Sequence, residues 1–132
     1  MKMMMWAAAL IFIFIVLKSS MTYAGETVDA NELKKIISAP DFKGSEAAVL
    51  DVREYYEFAE GHIEGAVHIP LGELEKRFGE LKKFKKLFVV CYSGARSSSA
   101  CRILSKLSPE TSVVNVSGGM SVWYGAGFEV KK

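Results

Sequence analysis

The strongest constraint on the fold is the stretch from Leu87 to Ser99. Leu-Phe-Val-Val (Leu87 to Val90) reads as a buried strand and is followed by Cys91, a short loop of small residues, and a helical pattern. A strand that runs into a tight loop and then a helix is half of a βαβ unit. Other short apolar runs alternate with helical segments along the chain, which places it in the α/β class over a largely parallel sheet.

Asp29-Ala30-Asn31-Glu32 opens a helix with Asp29 as N-cap and Glu32 in capping-box position, and Leu33, Ile36 and Ile37 recur at helical spacing before Pro40. Ala47 to Val52 and Ala66 to Ile69 are expected strands, with one or two helical turns over Glu54 to Glu60 between them. Leu71, Leu74, Phe78 and Leu81 form an amphipathic segment interrupted by Gly72 and Gly79. Ser97 to Leu107 is the helix after the cysteine loop, and Ser112 to Val116 is the last strand. Gly118-Gly119 then turns into a short segment carrying Trp123.

The N-terminus differs from the rest. Met3 to Leu17 is 15 residues without a polar side chain, preceded by Lys2 and followed by the small-residue exit Thr22-Tyr23-Ala24. These are the three parts of a secretory signal, so residues 1–24 are expected to be removed after Ala24, leaving a single domain over residues 25–132. The rival is an uncleaved membrane anchor. At ~1.5 Å per residue the run spans roughly 22 Å, short of the ~30 Å hydrocarbon core. Lys2 and Lys18 leave with the leader, so the 108 residues that remain carry 15 basic and 15 acidic side chains. A neutral domain has no global field to attract nucleic acid or anionic lipid, and no membrane contact is expected once the leader is gone.

Cys91 stands where ligands of open parallel sheets bind, at the carboxyl end of a strand. The loop's backbone N–H groups, the following helix N-terminus and Arg96 would all favour an anion at its centre. The same groups lower a thiol pKa, which makes Cys91 a candidate nucleophile without a separate base. The bland alternative is a core cysteine before an ordinary βα turn.

Further segments resolve that choice by resemblance. Asp51-Val52-Arg53-Glu54 with Glu57-Phe58, Gly61 to Ala66 with Ile69-Pro70, Cys91 to Arg96, and Gly118-Gly119-Met120 with Trp123 occur in the order and approximate spacing of the rhodanese (thiosulfate sulfurtransferase) domain. The similarity covers about residues 27 to 130, and the overall form is similar to that of single-domain exported bacterial rhodaneses. It implies a rhodanese-like α/β fold: a five-stranded, mostly parallel sheet with helices on both faces. It implies that Cys91 takes a sulfane sulfur from a small anionic donor such as thiosulfate and passes it, as a persulfide, to cyanide or a thiol. Tyr92, Ser93, Gly94, Ala95, Arg96 and Ser97 would supply the substrate cradle, with Arg96 the side chain for an oxyanion.

No cofactor or metal is implied. A periplasmic location is expected, where a protein reductant could keep Cys91 reduced. A non-catalytic binding or sulfur-carrier module is the alternative within the fold. Cysteine phosphatases and arsenate reductases with this style of loop have one more residue between cysteine and arginine, so the four here favour sulfur over phosphate or arsenate. Two-domain family members place a substrate-binding arginine where this chain has Tyr55-Tyr56-Glu57, which lowers the expected affinity for thiosulfate.

The remaining candidates have structural readings. Asp51 and Arg53 are expected to fix a strand-to-helix turn as an ion pair. His62 is expected to bond backbone, with His68 a still weaker candidate for chemistry. Cys101 lies on the apolar face of the helix after the loop and reads as core, although a resolving thiol or a disulfide with Cys91 is open. The cysteines and histidines lack the close-spaced pairs of a metal site. Lys82 to Lys86, balanced by Glu73, Glu75 and Glu80, reads as a solvated connection.

Overall fold

The computed structural model describes residues 25–132. The expected leader, its cleavage after Ala24 and the rival anchor lie outside the described residues. Among those residues no helix is long and apolar enough to cross a membrane.

Strand β1 (Thr27–Asp29) leads into helix α1 (Ala30–Ser38). Asp29 caps that helix as its spacing suggests, its Oδ1 accepting from Glu32 N at 2.7 Å, a contact worth about 1 kcal/mol. Next come β2 (Ala47–Asp51), α2 (Tyr55–Glu60) and the two-residue β3 (Val67–His68). The amphipathic segment is broken near its glycines into a 3₁₀ turn (Leu71–Glu73), the one-turn helix α3 (Leu74–Arg77) and a second 3₁₀ turn (Phe78–Leu81). Strand β4 (Lys86–Val90), helix α4 (Ala95–Leu107), strand β5 (Ser112–Ser117) and helix α5 (Gly119–Gly125) complete the chain.

All five strands pair in parallel, in the order β1-β5-β4-β2-β3. The inner strands β2, β4 and β5 present apolar side chains to both faces, as a parallel sheet covered on both sides requires. Leu50, Leu87 and Val89 pack with Leu74 of α3 and with Ala100, Cys101 and Leu104 of α4. On the other face Val49, Phe88, Val114 and Val116 pack with Ala30 and Leu33 of α1 and Met120 and Trp123 of α5. Helices therefore cover both faces of the sheet.

The strand order places a switch point. The connection leaving β4 runs through α4 to β5 on one side, while that leaving β2 runs through α2 to β3 on the other. The crevice between the carboxyl ends of β4 and β2 is where such a sheet binds ligands. Cys91 follows β4, and Val52-Arg53-Glu54 follow β2.

Candidate active site

Cys91 is fully buried at the end of β4. Gly94 bends the loop sharply: its φ of 110° lies in the region that glycine alone enters without steric cost. The bend starts α4 at Ala95, two residues earlier than the pattern of small residues suggests, so Arg96 and Ser97 sit in its first turn. The Gly94 N–H donates to Cys91 Sγ at 3.0 Å, and the Ser97 hydroxyl lies 3.4 Å from the sulfur.

Burial pushes the Cys91 thiol up, but hydrogen bonds from the Ser97 hydroxyl and from the backbone N–H groups of Ser97, Gly94 and Ser93 outweigh it, and the net shift is downward. In the thiol form Sγ–H points to Ser97 Oγ, whose own proton goes to the Gly94 carbonyl at 3.0 Å. On ionisation the Ser97 O–H has only to rotate from that carbonyl to the sulfur. Ser97→Ala removes this donor. The pH midpoint of Cys91 alkylation is expected to rise, and the rate at neutral pH to fall on the order of tenfold. An unchanged pH profile would show that the hydroxyl does not stabilise the thiolate.

The outward side of the loop is held by α5. Met120 N donates to Cys91 O and Ser121 N to Tyr92 O, both at 2.9 Å. This close approach requires Gly119: with φ of 49°, a Cβ there would lie 2.2 Å from Cys91 O and 2.8 Å from Tyr92 O. The Gly118-Gly119 pair, expected as a turn, thus also seats the cysteine loop.

Arg96 is not a free anion ligand. Its guanidinium forms a fork with Glu57 of α2, with Nη–Oε distances of 2.6 and 2.9 Å. The hydrogen bonds from Arg96 hold the Glu57 carboxyl below the usual range, and the pairing raises Arg96. The expected oxyanion contact from Arg96 therefore meets a competing carboxylate, and the anion-binding capacity nearest the sulfur lies in backbone N–H groups. Tyr92 is half exposed beside the sulfur, Ser93 is exposed, and Ala95 opens the helix. Glu57 joins the site as a residue that sequence reading placed only within a motif.

The supporting residues behave as structural elements. Asp51 and Arg53 are buried and joined at 2.8–3.1 Å, and Arg53 Nη2 also reaches Gly61 O at 2.7 Å. His62 bonds the Phe58 carbonyl and His68 the Arg53 carbonyl. The two imidazoles stack on opposite sides of the Phe58 ring, with centroids 3.8 and 4.2 Å away. Trp123 is buried and donates to Glu129 O. Cys101 is buried, unpaired with Cys91, and burial with the charge of Cys91 pushes its thiol up to about 12. Among the described residues no group of three His, Cys, Asp or Glu is placed to hold a metal ion.

A doubly covered parallel sheet with a hydrogen-bonded thiol at its switch point puts a candidate nucleophile where such sheets bind ligands. The chain matches the rhodanese-like domain over residues 29–126 and belongs to that family. A putative sulfurtransferase of Bacillus subtilis, YtwF, is 41% identical over 93 residues, which cover 70% of this chain and 84% of that protein. A putative sulfur carrier protein of the same organism, YrkF, is 47% identical over 77 residues, which cover 58% of this chain. The match spans only 41% of YrkF's own length. Among solved structures, a rhodanese-related protein from Thermoplasma volcanium superposes with a TM-score of 0.69 at 34% identity, covering 80% of this chain and 97% of that one. The five-stranded sheet is thus a rhodanese-like fold.

Proposed function

We propose that the protein is a sulfurtransferase that works through a persulfide on Cys91. The observation that carries this reading is the buried sulfur of Cys91, ringed by N–H and O–H donors that favour its anionic form. The Cys91 thiolate attacks the outer sulfur of a donor such as thiosulfate. A new S–S bond forms, the donor's S–S bond breaks, and sulfite leaves with the electron pair. The same donors that favour the thiolate then hold the negative terminal sulfur of the persulfide. A thiolate or cyanide attacks that terminal sulfur, and Cys91 leaves as thiolate.

The short loop supports sulfur over phosphate as cargo, since Gly94 N and Ser97 Oγ already lie within 3.0 and 3.4 Å of Sγ. The expected result with thiosulfate and cyanide is thiocyanate produced over many turnovers. A second reading, a sulfur carrier loaded once and emptied by a partner, is favoured by the name of the YrkF relative. It predicts that thiosulfate does not reload Cys91, so cyanide releases only the sulfur already bound to the isolated protein, one equivalent at most. No thiocyanate at all would overturn the first reading.

The same proposal includes export. The apolar run from Met3 to Leu17 and the small-residue exit at Ala24 support release of a domain beginning at Gly25 into an oxidising compartment, where a protein reductant would serve Cys91. The protein recovered from its host is expected to have the mass of residues 25–132. A mass that includes residues 1–24 would overturn cleavage and leave the anchor.

A further inference from the structure

The mouth of the Cys91 site carries an imbalance of charge that an anion cradle does not need. Arg96 lies in the field of three anions: Glu57, which it grips, Glu54, and Cys91 itself once ionised or persulfidated. Arg53 also acts on Glu57, yet it is buried and neutralised by Asp51 at 2.8 Å. The half-buried Arg96 guanidinium therefore answers three negative groups, while Arg77, whose Nη1 reaches Tyr55 Oη, is itself paired with Glu73 and Glu80. Glu54 is exposed at the entrance.

Exposed aromatic rings flank these charges. Tyr55 and Tyr56, just before Glu57, are 57% and 68% exposed, and Tyr92, just after Cys91, is 50% exposed. Tyr92 adjoins the sulfur in the chain, Tyr56 lies one residue before Glu57, and Tyr55 is already engaged, its hydroxyl bonded to Glu73 and Arg77 and its ring edge-on to His68. Rings next to carboxylates attract cations by their π-faces as well as by charge. Cys91 itself is 0% exposed, so a blunt protein surface cannot bring a sulfur to it. The acceptor atom has to arrive on a slender, extended arm.

We infer that the sulfur acceptor of this site is a thiol on a positively charged, extended peptide segment, a cysteine flanked by lysine or arginine. This rests on the persulfide reading above and specifies its second half. The peptide thiolate attacks the terminal sulfur of the Cys91 persulfide. The peptide S–S bond forms, the Cys91 S–S bond breaks, and its electron pair returns to Cys91 as thiolate, so charge and atoms balance without an added oxidant. Flanking cations approach Glu54 and the faces of Tyr56 and Tyr92. They also offset the repulsion between the incoming thiolate and the persulfide anion.

The test uses protein loaded with sulfur by thiosulfate and three acceptor peptides in which cysteine is flanked by arginines, alanines or glutamates. Transfer is followed by mass, with rates corrected for each peptide's thiolate fraction. At low salt the basic peptide is expected to react about tenfold faster than the neutral one and the acidic peptide slower still, with the spread collapsing at high salt. Glu54→Gln, which removes the charge, is expected to lower the ratio of the basic to the neutral peptide's rate. Equal rates for the three peptides, or a faster acidic one, would overturn the inference while leaving sulfur transfer in place. Failure to load any sulfur would instead overturn the persulfide reading, and this inference with it.

Discussion

Serine in place of Cys91 is expected to abolish sulfur transfer, by roughly 10³-fold or more, without disturbing the fold. The substitution keeps the small side chain at the end of β4 and the backbone bonds from Met120 and Ser121 that seat the loop. What it removes is an atom that ionises near neutral pH and can bond a second sulfur. The hydroxyl of serine stays protonated there even among the donors of Gly94 and Ser97. Circular dichroism and thermal melting check the fold, and thiocyanate production checks the activity. Retained turnover would move the nucleophile to Cys101. That residue is poorly suited: it is buried on α4 and its thiol is pushed up to about 12.

Arg53→Ala is expected to cost about 3–5 kcal/mol of stability, measured as a lowered denaturant midpoint. The reason lies in the charge it leaves behind. Asp51 is fully buried, and in the native protein its carboxylate takes two strong bonds from the Arg53 guanidinium and one from the Arg53 backbone N–H. Without the guanidinium a carboxylate remains in the interior with one backbone donor. Gly61 O loses the Arg53 donor as well, though Tyr124 O–H still reaches it at 2.9 Å. Replacing both partners together, Asp51→Val with Arg53→Met, is expected to recover part of the loss, because no unpaired charge then stays buried. A single variant as stable as the wild type would show that the pair is not what holds the β2–α2 turn. The same turn positions Glu57 against Arg96, so Arg53→Ala is also expected to loosen that fork.

Much of the fold was legible because its elements obey local rules. Asp29 and Glu32 bracket a helix start, and Leu87 to Val90 is apolar on both faces because both faces of a parallel sheet are covered. Elements too short to show a period escaped. Strand β1 has three residues and draws its identity from pairing with β5, which no local pattern reveals. Of the expected run Ala66 to Ile69, only Val67 and His68 form strand β3, although the chain beyond stays bonded to the same neighbour through Ile69 N to Asp51 O and Leu71 N to Val52 O. The start of α4 moved to Ala95 because the left-handed turn at Gly94 does the work that a polar N-cap would otherwise do.

The site divides in the same way. Cys91 and its loop were visible as a cysteine between a buried strand and a run of small residues. The role of Arg96 was not, because its partner Glu57 lies 39 residues away and only the fold brings α2 beside α4. An arginine in a loop reads as an anion ligand until its carboxylate is known. Gly119 was visible as a turn residue, but its place against the Cys91 carbonyl comes from the approach of α5 to the end of β4.

The most direct test of the Cys91 persulfide is the intact mass of the protein after incubation with thiosulfate and removal of excess donor. The expected result is a gain of one sulfur atom that cyanide removes and that the Cys91→Ser variant never acquires. An unchanged mass under these conditions, or a sulfur adduct equally present in Cys91→Ser, would contradict it.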